Sequence, residues 1–85
     1  MKIDDLLPGE TYACKFKVKT MLDKQGIPVN ENPKDLGGPG IYESIGIISV
    51  RDLNSRCVTV YDYNIDQSFN LDESQIWDID QVQWT

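Results

Sequence analysis

The amino-acid sequence predicts an all-β protein, a small and strongly bent five-stranded antiparallel barrel with a short N-terminal helical turn. Residues 41–63 are dense in β-branched and aromatic side chains, and residues 11–22 alternate between apolar and polar. Turn-forming residues separate the apolar segments. The chain has 85 residues, 40% of them hydrophobic, which is enough for the core of a single domain spanning residues 1–85.

The stretch from residue 41 to residue 63 is interpreted as two strands joined by a tight turn at Leu53-Asn54-Ser55. The second strand alternates regularly, whereas the first is apolar on both faces, since the adjacent Ile47 and Ile48 point in opposite directions. Such a strand is either covered on both sides or bent sharply across a core. Gly46 lies within it and indicates a bend or a close approach of another backbone.

The first predicted strand, Thr11 to Leu22, has one apolar face and one face with a row of lysines, Lys15, Lys17 and Lys19. Two interpretations of the row remain open. It is a solvated strand face that discourages pairing at a sheet edge, or it is a stripe that binds nucleic acid or another anion, together with Arg51 and Arg56.

The boundaries of the remaining elements are predicted from the positions of proline, glycine and polar turn-forming residues. Ile3–Leu7 is expected to form a helical turn that plugs one end of the barrel. Residues 23–40 contain three prolines and four glycines and are expected to form a long mobile loop. Phe69–Leu71 is the fourth strand, Asp72–Gln75 a single helical turn, and Ile76–Trp84 contains the fifth strand.

The charge is divided unevenly along the chain. Residues 1–56 carry eight acidic and eight basic side chains, whereas residues 57–85 carry six acids and no base, so this part holds the whole net charge of −6. A polyanion is repelled at long range by such a surface, which disfavours non-specific nucleic-acid binding. The sequence has neither an apolar run long enough to span a membrane nor a signal peptide, so we expect a cytoplasmic protein, and its character is compatible with a bacteriophage origin.

Catalytic chemistry has few candidates. The chain has no histidine, which excludes Ser-His-Asp and Cys-His pairs, and the two cysteines, Cys14 and Cys57, are expected to be free thiols on separate strands. A pair of carboxylates could still serve a hydrolase. We predict that the protein is not an enzyme and that it has no cofactor or bound metal.

An acidic stretch after the central hairpin has the ligand spacing of an EF-hand calcium loop. The matching positions are Asp62, Asn64, Asp66, Ser68, Asn70 and Glu73. The glycine needed for the sharp turn is replaced by Gln67, and a strand precedes the stretch where an EF-hand has a helix. The alternative is an acidic turn between two strands, stabilised by its own side chains.

The order of elements resembles the Sm-like family, in which a short N-terminal helix precedes a bent five-stranded barrel. Gly46, Ile48 and Asp52 match the family's first motif, Gly-x-Leu-x-x-apolar-Asp-x-x-Met-Asn. The rest of that motif is absent, since Ser55 and Arg56 stand where methionine and asparagine are expected. Asn54 lies two positions too early. The arginine- or lysine-glycine pair of the second motif is also missing.

The resemblance implies a ring in which the fourth strand of one subunit pairs with the fifth strand of the next. It also implies that Asp52 orients a loop, and it does not support binding of uridine-rich RNA. OB-type barrels fit the strand count almost as well. Three functional hypotheses result: a self-assembling binding or scaffolding module, a nucleic-acid-binding barrel, and a small calcium-binding module or enzyme. The candidate binding residues are Lys15, Lys17, Lys19, Asp52, Asn54 and Arg56.

Overall fold

The computed structural model describes residues 1–29, 36–52 and 55–82, and for residues 36 and 50–52 it describes the backbone alone. The five strands are β1 (Thr11–Asp23), β2 (Leu36–Asp52), β3 (Cys57–Asp62), β4 (Gln67–Asp72) and β5 (Ile76–Val82). Two 3₁₀ turns complete the described elements. One is the N-terminal turn Ile3–Asp5, and the other, the linking turn Glu73–Gln75, joins β4 to β5.

All five strands form one antiparallel sheet in the order β4-β3-β2-β1-β5. The prediction of an all-β protein with five antiparallel strands and little helix is therefore confirmed. The sheet is not closed, because no strand pairing joins β4 to β5 in the described part of the chain. The structure thus confirms the five-stranded sheet, but it does not show the closed barrel that the sequence predicted.

The sheet is strongly bent, as its connectivity requires. In a flat sheet β4 and β5 would lie four strand spacings apart, about 19 Å. Only the three residues of the linking turn separate them in sequence, and at about 2 Å per residue the four steps from Asp72 to Ile76 advance roughly 8 Å. Side chains across the inner face agree, since the rings of Phe16 on β1 and Phe69 on β4 lie 5.5 Å apart between centroids.

The long β1–β2 hairpin is the largest unit of the sheet, and β1 alternates as its sequence predicts. Its inner face contributes Tyr12, Cys14 and Phe16 to the core, while its lysines are exposed. The predicted loop boundaries of 23–40 are wrong at the C-terminal end. Residues 36–40 belong to β2 and pair with the end of β1, with Met21 opposite Pro39. Residues 30–35 of the predicted loop lie outside the described residues.

Gly46 marks a close approach, as expected for a glycine inside a strand. A Cβ atom at this position would lie 2.5 Å from Cγ1 of Val60 and 2.7 Å from the carbonyl oxygen of Tyr61. The apolar residues of β2 lie on both faces because the strand alternates regularly up to Ile48, with Ile41 and Ile45 exposed on one face and Ile48 buried on the other. The pairing of β2 with β3 then shifts between Ile48 and Val50, which marks a bulge at Ser49.

The core lies on the inner face of the bent sheet and is closed by the N-terminal turn. Ile3 and Leu6 are buried there, as the predicted plug requires, whereas Leu7 is exposed. The other members come from all five strands, with Val18, Tyr42 and Phe69 packed at the margin. The buried residues are Ile3, Leu6, Tyr12, Cys14, Phe16, Ile48, Val58, Val60, Leu71, Ile76 and Ile79.

Candidate functional site

The two edge strands, β4 and β5, are the first candidate site. Each is paired on one side only, β4 with β3 and β5 with β1, within the part of the chain that the structure describes. The outer side of each strand therefore presents backbone N–H and C=O groups that another strand can pair with. A bulge around Asp78, whose φ is 51°, interrupts the regular pairing of β5 with β1.

The linking turn fixes the relative position of the two edges. Asp72 caps it, because its Oδ1 accepts a 2.9 Å hydrogen bond from the backbone N–H of Ser74. Gln75 returns the contact, since its Oε1 accepts from the backbone N–H of Asp72 at 3.2 Å. The hydroxyl of Ser74 also donates to Asp72, and these hydrogen bonds lower the pKa of the Asp72 carboxyl.

Arg56 connects the same corner to the N-terminal turn. Its Nε donates to Oε2 of Glu73 at 2.8 Å, and its Nη1 contacts Oδ1 of Asp4 at 2.6 Å. The hydrogen bond from Arg56 lowers the pKa of Glu73, and the two carboxylates raise the pKa of the guanidinium. Arg56 therefore ties together three segments of the chain, and its charge is already compensated by two acids.

The outer face of β1 and β2 is the second candidate site. Lys15, Lys17 and Lys19 lie opposite Ile45, Glu43 and Ile41 in the pairing of the two strands. Lys15 forms an ion pair with Asp78 at 3.2 Å, whereas Lys17 and Lys19 make none with any described residue. Ile41 and Ile45 are 63% and 46% exposed, so an apolar row, interrupted by the exposed Glu43, runs beside the basic row.

The apolar row continues into a groove at one end of this face. The groove has a volume of about 640 Å³, and its wall is formed by β1, β2, β3, β5 and Tyr63. Its lining residues are Ala13, Ile47, Ser49, Tyr61, Tyr63 and Val82. We call the basic row, the apolar row and this groove together the outer-face strip.

The acidic stretch after β3 forms a hairpin turn in which each acid has its own partner. Asp62 is fully buried, and its Oδ2 accepts a 2.6 Å hydrogen bond from the Tyr42 hydroxyl while Oδ1 accepts from the backbone N–H of Asn64 at 2.9 Å. Asp66 accepts from the Tyr61 hydroxyl at 2.6 Å. Burial and the contact with Asp62 raise the pKa of Tyr42.

These contacts place the oxygen groups of the calcium-like spacing on different parts of the hairpin. Asp62 and Asp66 lie at the turn, whereas Glu73 follows the far end of β4 and contacts Arg56. Among residues 1–29, 36–52 and 55–82, no three acidic or cysteine side chains converge in a group that could hold a metal ion. The turn is stabilised by its own hydrogen bonds, as the alternative interpretation expects.

The predicted binding residues do not form a single site. The three lysines share one face of β1, but Arg56 is held at the linking turn by Glu73 and Asp4. The backbone of Asp52 pairs with Cys57 at the end of β2, and its side chain and Asn54 lie outside the described residues. The set is therefore divided between the outer-face strip and the corner of the sheet.

Ile41 and Ile45 were not predicted as site residues. The sequence shows that β2 is apolar on both faces, but this pattern also fits a strand that is buried on both sides, so it did not identify the two isoleucines as exposed. Their exposure is decided by the absence of any described element over this side of the sheet, which is a property of the whole fold.

The thiols occupy two different environments. Cys14 is buried in the core, and burial raises its pKa to about 11, so this thiol stays protonated at neutral pH. Cys57 is partly exposed, and its Sγ contacts the carbonyl oxygen of Ser55 at 3.5 Å. Both are free cysteines, and they lie on the separate strands expected from the sequence.

Comparison of the chain with protein-family models, curated proteins and solved structures found no match. The fold and the two candidate sites themselves define the class of molecule, an all-β protein with one open, strongly bent antiparallel sheet. No helix in the described ranges is long and apolar enough to cross a bilayer.

Proposed function

We propose that the protein is a non-enzymatic module that assembles with copies of itself through β4 and β5 and serves as a scaffold for binding. The observation that carries this proposal is that β4 and β5, held at one corner by the linking turn, are each paired on one side only among the described residues. The free backbone groups of an edge strand can pair with a strand of another chain, so an exposed edge favours association.

The two edges differ from each other, so one is suited to receive the other. Pairing β4 of one copy with β5 of the next makes a head-to-tail contact, and such contacts produce a closed ring when the rotation between copies completes a full turn. The strands are similar in length, with six residues in β4 and seven in β5, which allows a continuous inter-subunit ladder.

The Sm-like arrangement fits this proposal. The N-terminal turn followed along the chain by five antiparallel strands is the order of elements on which the resemblance rests. The departures at Ser55 and Arg56 concern the RNA-contacting part of the family motif. We therefore propose for this protein the assembly that the resemblance implies, and we do not propose uridine-rich RNA as its ligand.

Amide hydrogen exchange at two protein concentrations tests the proposal residue by residue. The amides of β4 and β5 that point away from the sheet should exchange slowly in the concentrated sample and rapidly after dilution. Amides of β3 provide the internal control, because this strand is paired on both sides within one copy and its exchange should not depend on concentration. Equal exchange at β4 and β5 in both samples, with a monomeric mass, would refute the assembly.

The nucleic-acid alternative has one supporting observation, the absence of described ion pairs at Lys17 and Lys19. The predicted partner of these lysines, Arg56, is committed to Glu73 and Asp4, which weakens a continuous basic surface. Replacing Lys15, Lys17 and Lys19 by glutamine tests this alternative, since unchanged retention of RNA and DNA would eliminate it.

A further inference from the structure

Two routes connect the edge strands β4 and β5 within one chain. One passes through the whole sheet, in the order β4-β3-β2-β1-β5, and crosses four strand pairings. Because the twist between neighbouring strands varies from about −10° to about −35°, small differences accumulate along this route. The other route is the corner where the linking turn joins the end of β4 to the start of β5. The angle between the two edges is therefore restrained most directly at this corner.

Arg56 reaches this corner from the turn between β2 and β3. Its Nε donates to Oε2 of Glu73 in the linking turn at 2.8 Å, and its Nη1 donates to Oδ1 of Asp4 at 2.6 Å. The N-terminal turn that carries Asp4 is itself anchored, because the side chain of Ile3 is buried in the core. Arg56 thus attaches the linking turn to a part of the fold that belongs to neither edge strand.

A second contact also attaches the linking turn, but it is longer and uncharged. Nε2 of Gln75 donates to the backbone carbonyl oxygen of Lys17 on β1 at 3.4 Å. Hydrogen bonds between charged groups are shorter and stronger than such neutral ones. Among these contacts, the bridge from Arg56 is therefore the stronger restraint on where the linking turn lies.

The backbone conformation of Arg56 gives independent support for a special role of its side chain. Its φ is 57°, in the left-handed region that glycine adopts without cost and other residues adopt uncommonly. Such a conformation persists where the surrounding structure holds the residue in place, and it often accompanies a function. The contacts of the guanidinium with two carboxylates are what holds Arg56 here.

The exposure of this bridge indicates that its role is geometric. The side chains of Arg56, Asp4 and Glu73 are 39%, 61% and 50% exposed, and ion pairs this accessible to water contribute little to stability. Their geometry is nevertheless restrictive, because a planar guanidinium presents its donors in fixed directions. Without Arg56, the like charges of Asp4 and Glu73 would repel each other and move the linking turn away from the N-terminal turn.

We propose that Arg56 is the positioning residue that sets the angle between β4 and β5, and thereby the number of chains in the closed assembly. This inference rests on the proposed assembly through β4 and β5. In a ring, each copy is rotated from the next by a full turn divided by the number of copies, so rings of five and six copies differ by about 12° per copy. Selection of one number therefore requires an angle defined to within a few degrees, and the bridge from Arg56 supplies that restraint.

Native mass spectrometry of the full-length protein and its variants tests the proposal. The wild-type protein should give one ring mass. Arg56→Gln and Glu73→Gln should each give at least two ring masses that differ by one chain, 9.7 kDa. Lys17→Gln is the matched control and should keep the wild-type ring mass, because it removes the same charge from an exposed side chain that has no ion pair with any described residue. A bridge that only stabilised the fold would lower the melting temperature of the variants without changing the number of chains.

The possible results separate this inference from the assembly itself. A wild-type protein that is monomeric at all concentrations refutes the assembly and this inference with it. A wild-type ring whose single mass persists in folded Arg56→Gln and Glu73→Gln overturns the role of Arg56 and leaves the assembly intact. Circular dichroism verifies folding, and Glu73→Gln alone decides if Arg56→Gln unfolds, because it breaks the same bridge from the linking turn.

Two further results would also overturn the role of Arg56. Folded variants that no longer assemble would show that the bridge is needed for pairing of the edges and does not select the number of chains. A changed ring mass in Lys17→Gln would assign the effect to the net charge of the chain.

Discussion

The Tyr42 hydroxyl donates a 2.6 Å hydrogen bond to Oδ2 of Asp62, a carboxylate with no solvent-exposed surface. This contact joins the middle of β2 to the end of β3 at a position where the two strands are not paired. A buried carboxylate is tolerated only when hydrogen bonds replace its lost hydration. Tyr42 is therefore expected to be one of the residues that hold the bend of the sheet.

The substitution Tyr42→Phe should lower the free energy of unfolding by about 1–3 kcal/mol, because it leaves a buried acceptor without its donor. Urea denaturation followed by circular dichroism measures the change. Tyr61→Phe is a matched control, since the Tyr61 hydroxyl contacts an exposed carboxylate of Asp66 and its loss should cost less. Equal costs for the two variants would show that burial of Asp62 does not determine the effect.

Glu73 predicts how stability depends on pH. Its pKa in the folded protein is lowered below the usual 4.5, mainly by Arg56, so the unfolded chain binds more protons as the pH falls through this range. The stability that Glu73 contributes is complete above pH 4.5 and is lost as the pH falls through its folded pKa. Arg56→Gln should flatten this part of the melting temperature profile, whereas Lys2→Gln should not. An unchanged profile for Arg56→Gln would contradict the assigned role of this ion pair.

Gly46 is predicted to tolerate no side chain. Gly46→Ala would place a Cβ 2.5 Å from Cγ1 of Val60, and overpacking of this kind typically costs about 1–3 kcal/mol. The comparison is Gly26→Ala, where no described atom beyond the chain neighbours would lie within 4 Å of the added Cβ and the positive φ of 84° opposes the substitution. Chemical denaturation of both variants should show the larger loss at Gly46. A neutral Gly46→Ala would mean that the strands separate easily at this point.

Assembly should become stronger as salt is added. The edge strands carry Asp72, Asp78 and Asp80, and residues 57–85 hold the whole net charge of −6, so like charges oppose the pairing of β4 with β5. Salt screens such repulsion, with a Debye length of about 10 Å at 0.1 M. Sedimentation velocity at low and high sodium chloride should show a larger assembled fraction at high salt. Asp72→Asn/Asp80→Asn should reduce this dependence, and assembly that weakens with salt would instead indicate an attractive ionic interface.

The sequence predicts the strands well because their signals are local. Alternation along β1 identified the buried Tyr12, Cys14 and Phe16, and Asp72–Gln75 was correctly expected to form a turn. The bulge between Ile48 and Val50 could not be predicted, since it arises from the register of β2 against β3. The start of β2 was missed because Gly37, Gly38, Pro39 and Gly40 resemble a loop, although pairing with β1 holds them in a strand.

The candidate sites depended on longer-range structure. The lysine row was visible in the sequence, but its apolar neighbours Ile41 and Ile45 become a surface only when β2 is placed beside β1 with nothing described above it. Arg56 was assigned to the basic group, whereas the fold brings it to Asp4, far away in sequence. Such contacts have no local pattern.

The central claim, assembly through β4 and β5, is tested most directly by the mass of the protein in solution, measured by size-exclusion chromatography with light scattering. We predict an assembled species of several chains, whose fraction rises with concentration while its mass keeps one discrete value, because a ring closes at a fixed number of subunits. A mass equal to one chain at all concentrations and at high salt would contradict the claim and leave both edges of the sheet without a partner.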